Sequence, residues 1–280
     1  MMIEKILIPT DGSDGGKTAL EYGIYLAKRL GAQITGLHVV DIRLMQGPLF
    51  TDISGSIGLP PYQELLPFMQ DGLDERAEHI LEIFSAKCEQ CGLCPETIKS
   101  IGIVDESIIE AGKETDLIVL ARRGEHFHFT TSGMIGSTAE SIVRKSGKPV
   151  MVIPEVFKEI ESVGLAYDGS VPADHALKLA AELAEYTSWP LTAIIITDNP
   201  STADNRSTKI ENFLEPFKVD SEIIILAGKE DREILRFIQD GSVELMIMGA
   251  YGHNRLRELI VGSTTSSIIR KSTIPVLLTR

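Results

Sequence analysis

The sequence predicts an α/β protein made of two tandem units, each a doubly wound, five-stranded parallel sheet with helices on both faces. Three observations predict it. The first is an internal repeat: I-L-I-P-T-D-G-S at 6–13 recurs as V-G-L-A-Y-D-G-S at 163–170, and I-G-S-T-A-E-S-I-V-R-K-S at 135–146 recurs as V-G-S-T-T-S-S-I-I-R-K-S at 261–272. The second is a series of short, nearly continuous apolar runs that alternate with helical patterns. Such runs suit parallel strands buried on both faces and joined by right-handed crossovers. The third is punctuation: Gly and Asp-Gly turns stand where the runs end.

The repeat fixes the units. Asp11 and Asp168 are 157 residues apart, as are Asp41 and Asp198. Gly102 and Gly228 are 126 apart, as are Gly136 and Gly262. The first copy therefore carries 31 extra residues between Asp41 and Gly102. The units are expected over 1–154 and 161–280, with an inserted segment around 42–70 and a linker at 155–161.

In the first unit, Lys5–Thr10 reads as a strand that ends at Asp11-Gly12. Ser13 can cap a helix carrying Ala19, Leu20, Ile24, Leu26, Ala27 and Leu30, stopped by Gly31. Ile34–Val40 reads as a second strand. Ile42–Phe68, rich in Gly and Pro, reads as a long loop. A helix from about Gly72 to Cys91 follows, then a strand at Glu96–Ile101, a short helix at Glu106–Glu114 and a strand at Leu117–Ala121. Gly136–Ser146 reads as a helix and Val150–Ile153 as the last strand. The second unit repeats this, with strands near 162–167, 191–197, 220–226, 244–248 and 275–279.

Composition narrows the functions. With 27 basic and 40 acidic residues, the formal net charge is −13. That opposes nucleic-acid binding by phosphate neutralisation and docking on anionic membranes. No apolar stretch approaches the roughly 20 residues of a membrane-spanning helix. The N-terminus, MMIEKILIPTDGS, lacks a basic region followed by an apolar one. A cytoplasmic protein is expected, binding neither nucleic acid nor membrane.

The cysteines form Cys88-x2-Cys91-x2-Cys94. Three thiolates so spaced can converge on one ion. Equally, Cys88 and Cys91 stand one turn apart on the apolar face of a helix, where small buried residues belong. His126 and His128, on the same side of an extended loop, offer a metal pair or an exposed rim.

The segment that carries chemistry runs from Met248 to Thr264. An apolar run ends at Gly249, Gly252 follows, then nine residues, then Gly262-Ser263-Thr264 opening a helix. Strand, glycine loop and helix start is a geometry that holds phosphates. Glycine lets the backbone approach an anion, and helix-start N–H groups point outward unpaired. Arg255 and Arg257 add charge; Ser263 and Thr264 add donors. The spacing fits neither GxGxxG nor the P-loop. In doubly wound sheets ligands bind at the carboxyl ends of strands where strand order reverses. If strands one and four are neighbours, Asp168 and this loop face one crevice.

These paired motifs resemble the universal stress protein family in its tandem form. The resemblance covers the chain except the 42–68 insertion. It implies a fold like that of the adenine-nucleotide hydrolases, ATP as ligand with or without Mg2+, and pairing of the two units through their last strands; a homodimer is a further assembly to test. By position, Asp168 would meet the ribose, and Ile196 would lie where the strand-two backbone reads the adenine edge. Gly249 and Gly252 would admit the backbone approach, and Gly262, Ser263 and Thr264 would hold phosphates. The first unit keeps Asp11, Gly124, Gly136 and Ser137 but departs from the pattern. Ala121 replaces the first glycine, and eleven residues instead of nine separate Gly124 from Gly136. The Ala121 methyl is expected to block backbone approach or force an unfavourable φ, so the nucleotide is expected mainly in the second unit.

Two further readings stand beside an ATP-responsive module. One is a slow ATPase using His253 or Glu258 as base. The other is a scaffold for a different ligand beneath the apolar insertion, where Leu49, Phe50, Tyr62, Leu65 and Phe68 fall.

Overall fold

A computed structural model describes residues 3–44, 62–124, 136–250 and 262–280. Among these residues ten strands form a single sheet. The first half contributes β1 (Lys5–Pro9), β2 (Gln33–Asp41), β3 (Glu96–Gly102), β4 (Leu117–Ala121) and β5 (Val150–Ile153). The second contributes β6 (Val163–Ala166), β7 (Leu191–Ile196), β8 (Ser221–Leu226), β9 (Leu245–Gly249) and β10 (Val276–Thr279). The spatial order is β3-β2-β1-β4-β5-β10-β9-β6-β7-β8. Every pairing within a half is parallel, and β5 and β10 meet antiparallel, with Val276 opposite Val152 and Leu278 opposite Val150. The last strands thus join the halves, as the resemblance implies. Strand one neighbours strand four in each half, Leu7 beside Ile118 and Leu165 beside Ile247.

Strand alternation divides the core. Ile6 and Ile8 point to one face and Leu7 to the other. The first face is covered by α1 (Asp14–Leu30), α2 (Tyr62–Gln90), α5 (Val171–Thr187) and α6 (Pro200–Leu214). The second is covered by α3 (Val104–Gly112), α4 (Ser137–Lys145), α7 (Glu230–Gln239) and α8 (Ser263–Lys271). Helix starts follow the capping chemistry read from sequence. Ser13 accepts from Gly16 N at 3.1 Å, and Ser170 from Ala173 N at 3.3 Å. Gly31 closes α1 at φ 69°.

The linker is pinned to the first half. Tyr22 Oη accepts from Lys158 N at 3.1 Å, and Tyr25 Oη donates to Ile160 O at 2.6 Å. Phe157 packs edge-on against both tyrosine rings. Trp189 of the second half stacks on Tyr25, centroids 6.4 Å apart.

One expectation is corrected. The segment Ile42–Phe68 is not loop throughout, because α2 begins at Tyr62 and runs through Pro67 and Gly72. Both residues read as punctuation, yet a Cβ on Gly72 would meet nothing within 4 Å, so packing sets no stop there. Leu49 and Phe50 lie outside the described residues. Cys88 faces the core, and burial pushes its thiol up to about 12; Cys91 is half-buried and Cys94 exposed. Among the described residues no three His, Cys, Asp or Glu side chains gather as a metal site, and no helix is long and apolar enough to cross a membrane.

Candidate functional site

In the first half, β1 leads to β2 on one side while β4 and β5 lie on the other, so strand order reverses between β1 and β4. Such a switch point leaves a crevice at the carboxyl ends of the strands. A cavity of about 520 Å³ occupies it, lined by Asp11, Val39, Gly124, Gly136 and Ser137 among others. That volume lies within the range of small-molecule sites. Four sequence-predicted residues of this half are therefore brought together.

Local chemistry aims the aspartate. Asp11 Oδ1 accepts from Ser13 N at 3.0 Å and from Ser13 Oγ at 2.5 Å. Its other oxygen faces the loop after β4: a Cβ on Gly124 would stand 2.8 Å from Asp11 Oδ2. Gly136 N donates to Arg122 O at 3.0 Å, closing the loop beneath α4. Among the described residues no side chain caps α4 or α8, each of which opens on its glycine, Gly136 or Gly262. First-turn amides of both helices therefore remain open to an anion.

The second half repeats the frame between β6 and β9. Asp168 Oδ1 accepts from Ser170 N at 2.9 Å. Ile196 is the last residue of β7, half-buried. Gly262 and Ser263 are exposed at the start of α8 and Thr264 is half-buried. Among the described residues, a Cβ on Gly262 would meet only Thr265 Oγ1, at 3.8 Å. Gly252, His253, Arg255, Arg257 and Glu258 lie outside the described residues, as do His126 and His128.

The glycines act through space, not through φ. Positive φ occurs at Gly12 and Gly169 but at none of Gly124, Gly136, Gly249 and Gly262. For Ala121 the same ground removes the unfavourable φ that was one of the two expected effects. It is an ordinary strand residue opposite Ile153, and its methyl is accommodated by Gly15, whose own Cβ would stand 2.9 Å from it.

Several cations were not assigned from sequence. Arg43, Arg76, Arg122 and Arg123 line the first cavity. Arg43 pairs with Asp41 at 2.6 Å, and Arg122 and Arg123 each approach Glu155 Oε1 at 3.4 Å. In the second half Arg206 of α6 lies over the turn after Asp168, its Nε 3.3 Å from where a Gly169 Cβ would be. Arg122-Arg123 directly after an apolar run was a visible signal. Arg206 had none, because α6 falls where the repeats lose alignment.

The description of the Universal stress protein family matches the chain twice, over residues 2–154 and 159–280. The chain is 32% identical to Universal stress protein Slr1230 of Synechocystis sp., over 98% of this chain and 99% of that one. It is 27% identical to Universal stress protein MJ0577 of Methanocaldococcus jannaschii over 55% of this chain and 96% of the relative. Among solved structures, a universal stress protein from Archaeoglobus fulgidus DSM 4304 superposes with a TM-score of 0.75 at 26% identity, covering 99% of this chain and 96% of that one.

Proposed function

The chain belongs to the universal stress protein family, with two family units in tandem, and from that premise we propose that it is an ATP-binding regulatory module without obligatory chemistry. The units are residues 1–154 and 161–280. One observation carries the reading: in the first half the strand-one aspartate and the helix-opening Gly-Ser line one cavity of about 520 Å³, and the second half repeats the strand pairing that frames it.

The assignments follow from chemistry. Asp168, and Asp11 in the first half, accept hydrogen bonds from ribose hydroxyls. The Ile196 backbone reads the adenine edge. Gly252 and Gly262 admit the triphosphate, and Ser263 and Thr264 donate to it together with open first-turn amides. Gly136, Ser137 and Gly124 do the same in the first half. Mg2+ would accompany the phosphates as a counter-charge. The room beside Gly262 supports this, since neither φ nor packing among the described residues requires glycine there.

Turnover is the test. The full chain incubated with ATP and Mg2+ should retain ATP intact. Steady ADP or AMP release, abolished by His253→Ala or Glu258→Ala, would replace this reading with a hydrolase.

A further inference from the structure

Arg122 belongs to both halves at once. Its backbone is part of the first site: its carbonyl accepts from Gly136 N at 3.0 Å, and the residue lines the first cavity. Its guanidinium leaves that half. Nη1 donates to Arg270 O at 2.7 Å and to Ile269 O and Ser272 O at 3.3 Å each. Those carbonyls form the C-terminal end of α8, where a cation offsets unpaired C=O groups and the helix dipole. The opposite end of α8, about 13 Å away at 1.5 Å per residue, is Gly262-Ser263-Thr264.

The placement is costly. The Arg122 side chain is 12% exposed, its Nε lacks a partner among the described residues, and burial lowers its affinity for the proton. A half-buried guanidinium held by carbonyls and one carboxylate oxygen would gain by exchanging them for a fully charged phosphate. The link is also one-sided. Ala250 occupies the corresponding position after β9, and its methyl cannot cap α4.

Resting on the two-site reading above, we propose that Arg122 couples the sites negatively: an anion in the first pocket draws the guanidinium off α8 and weakens phosphate binding at the start of that helix. Two arrangements of one side chain define the two states, Arg122 on the α8 carbonyls or Arg122 on the ligand. Linkage makes the effect reciprocal, so ATP in the second site weakens binding in the first by the same factor. Glu155, which touches both Arg122 and Arg123, holds the resting arrangement.

The test is ATP calorimetry on the full chain in four forms: wild type, Gly136→Val with the first pocket obstructed, Arg122→Ala, and Arg122→Ala with Gly136→Val. Affinity of the second site should be about 5-fold or more higher in Gly136→Val than in wild type with its first pocket filled, a typical coupling factor. In the Arg122→Ala pair that difference should fall below about 2-fold, whatever the absolute affinity, which separates coupling from a general loss of α8 stability. An undiminished difference without Arg122, or none in wild type, overturns the coupling and leaves nucleotide binding standing. Absence of ATP binding in every form overturns the two-site reading itself, and the coupling with it.

Discussion

Gly249, at the end of β9, lies against Pro172 in the first turn of α5: a Cβ on Gly249 would stand 2.7 Å from both the Pro172 carbonyl carbon and Ala173 N. The counterpart contact in the first half is inverted. There the strand carries Ala121, and the helix carries Gly15, whose Cβ would stand 2.9 Å from the Ala121 methyl. Each half seats its first helix on strand four with one glycine, placed on opposite partners. The first glycine of the phosphate-loop pattern is thus accounted for by helix packing.

It follows that Gly249→Ala destabilises the fold. The obstructing atoms are backbone, which cannot rotate away, so a loss of about 1–3 kcal/mol is expected. Pro172→Gly should relieve part of it. Urea denaturation of the two single variants and the double should therefore be non-additive, and strict additivity would argue against the contact.

Gly262→Val should abolish ATP binding in the second half while leaving thermal stability nearly unchanged, because a Cβ there meets no described atom closer than 3.8 Å. Gly136→Val should change total affinity less, and should lower Tm, since its Cβ would stand 3.3 Å from Arg122 O. Paired calorimetry and thermal melts check both, and equal affinity losses would contradict the asymmetry.

Thiol labelling should proceed in the order of burial. Cys94 is exposed and should react readily with a thiol reagent at neutral pH. Cys88, buried and with its thiol pushed up to about 12, should react only on unfolding. Fast labelling of Cys88 in the native chain would remove it from the core.

Acid stability should depend on Asp105. Burial pushes its carboxyl up, but hydrogen bonds from Ser141 Oγ at 2.5 Å and Lys145 Nζ at 2.9 Å outweigh that and leave it below the usual range. A depressed folded value means stabilisation that is complete above the unfolded pKa near 3.9 and lost as pH falls through the folded value. Asp105→Asn should cost about 1–2 kcal/mol at pH 7, and the difference from wild type should shrink toward pH 3. A pH-independent difference would mean the charge is not what matters.

Much of this was legible in the sequence, for reasons residues make plain. The 157 and 126 spacings depend only on chain order, so they placed Asp11 and Asp168 on equivalent strands. The adjacency of β1 and β4 was only a condition there, because parallel crossovers and hydrophobic runs do not fix strand order; the pairings Leu7–Ile118 and Leu165–Ile247 supply it. The start of α2 at Tyr62 was hidden because Pro67 and Gly72 are breakers by habit, and local composition cannot say when a helix continues through them. The exchange of glycine between Gly15 and Gly249 was hidden because it joins residues more than 75 positions apart in the chain. Arg122 had no reading from sequence, because its partners lie about 150 positions away; only packing of the halves shows it on the carbonyls of α8.

The most direct test is a crystal structure of the full chain grown with millimolar ATP and Mg2+. The account predicts a nucleotide in the second half, its ribose on Asp168 and its phosphates against Gly262, Ser263 and Thr264. Water alone at the start of α8, with side chains of residues 251–261 filling the hollow between β6 and β9, would contradict it.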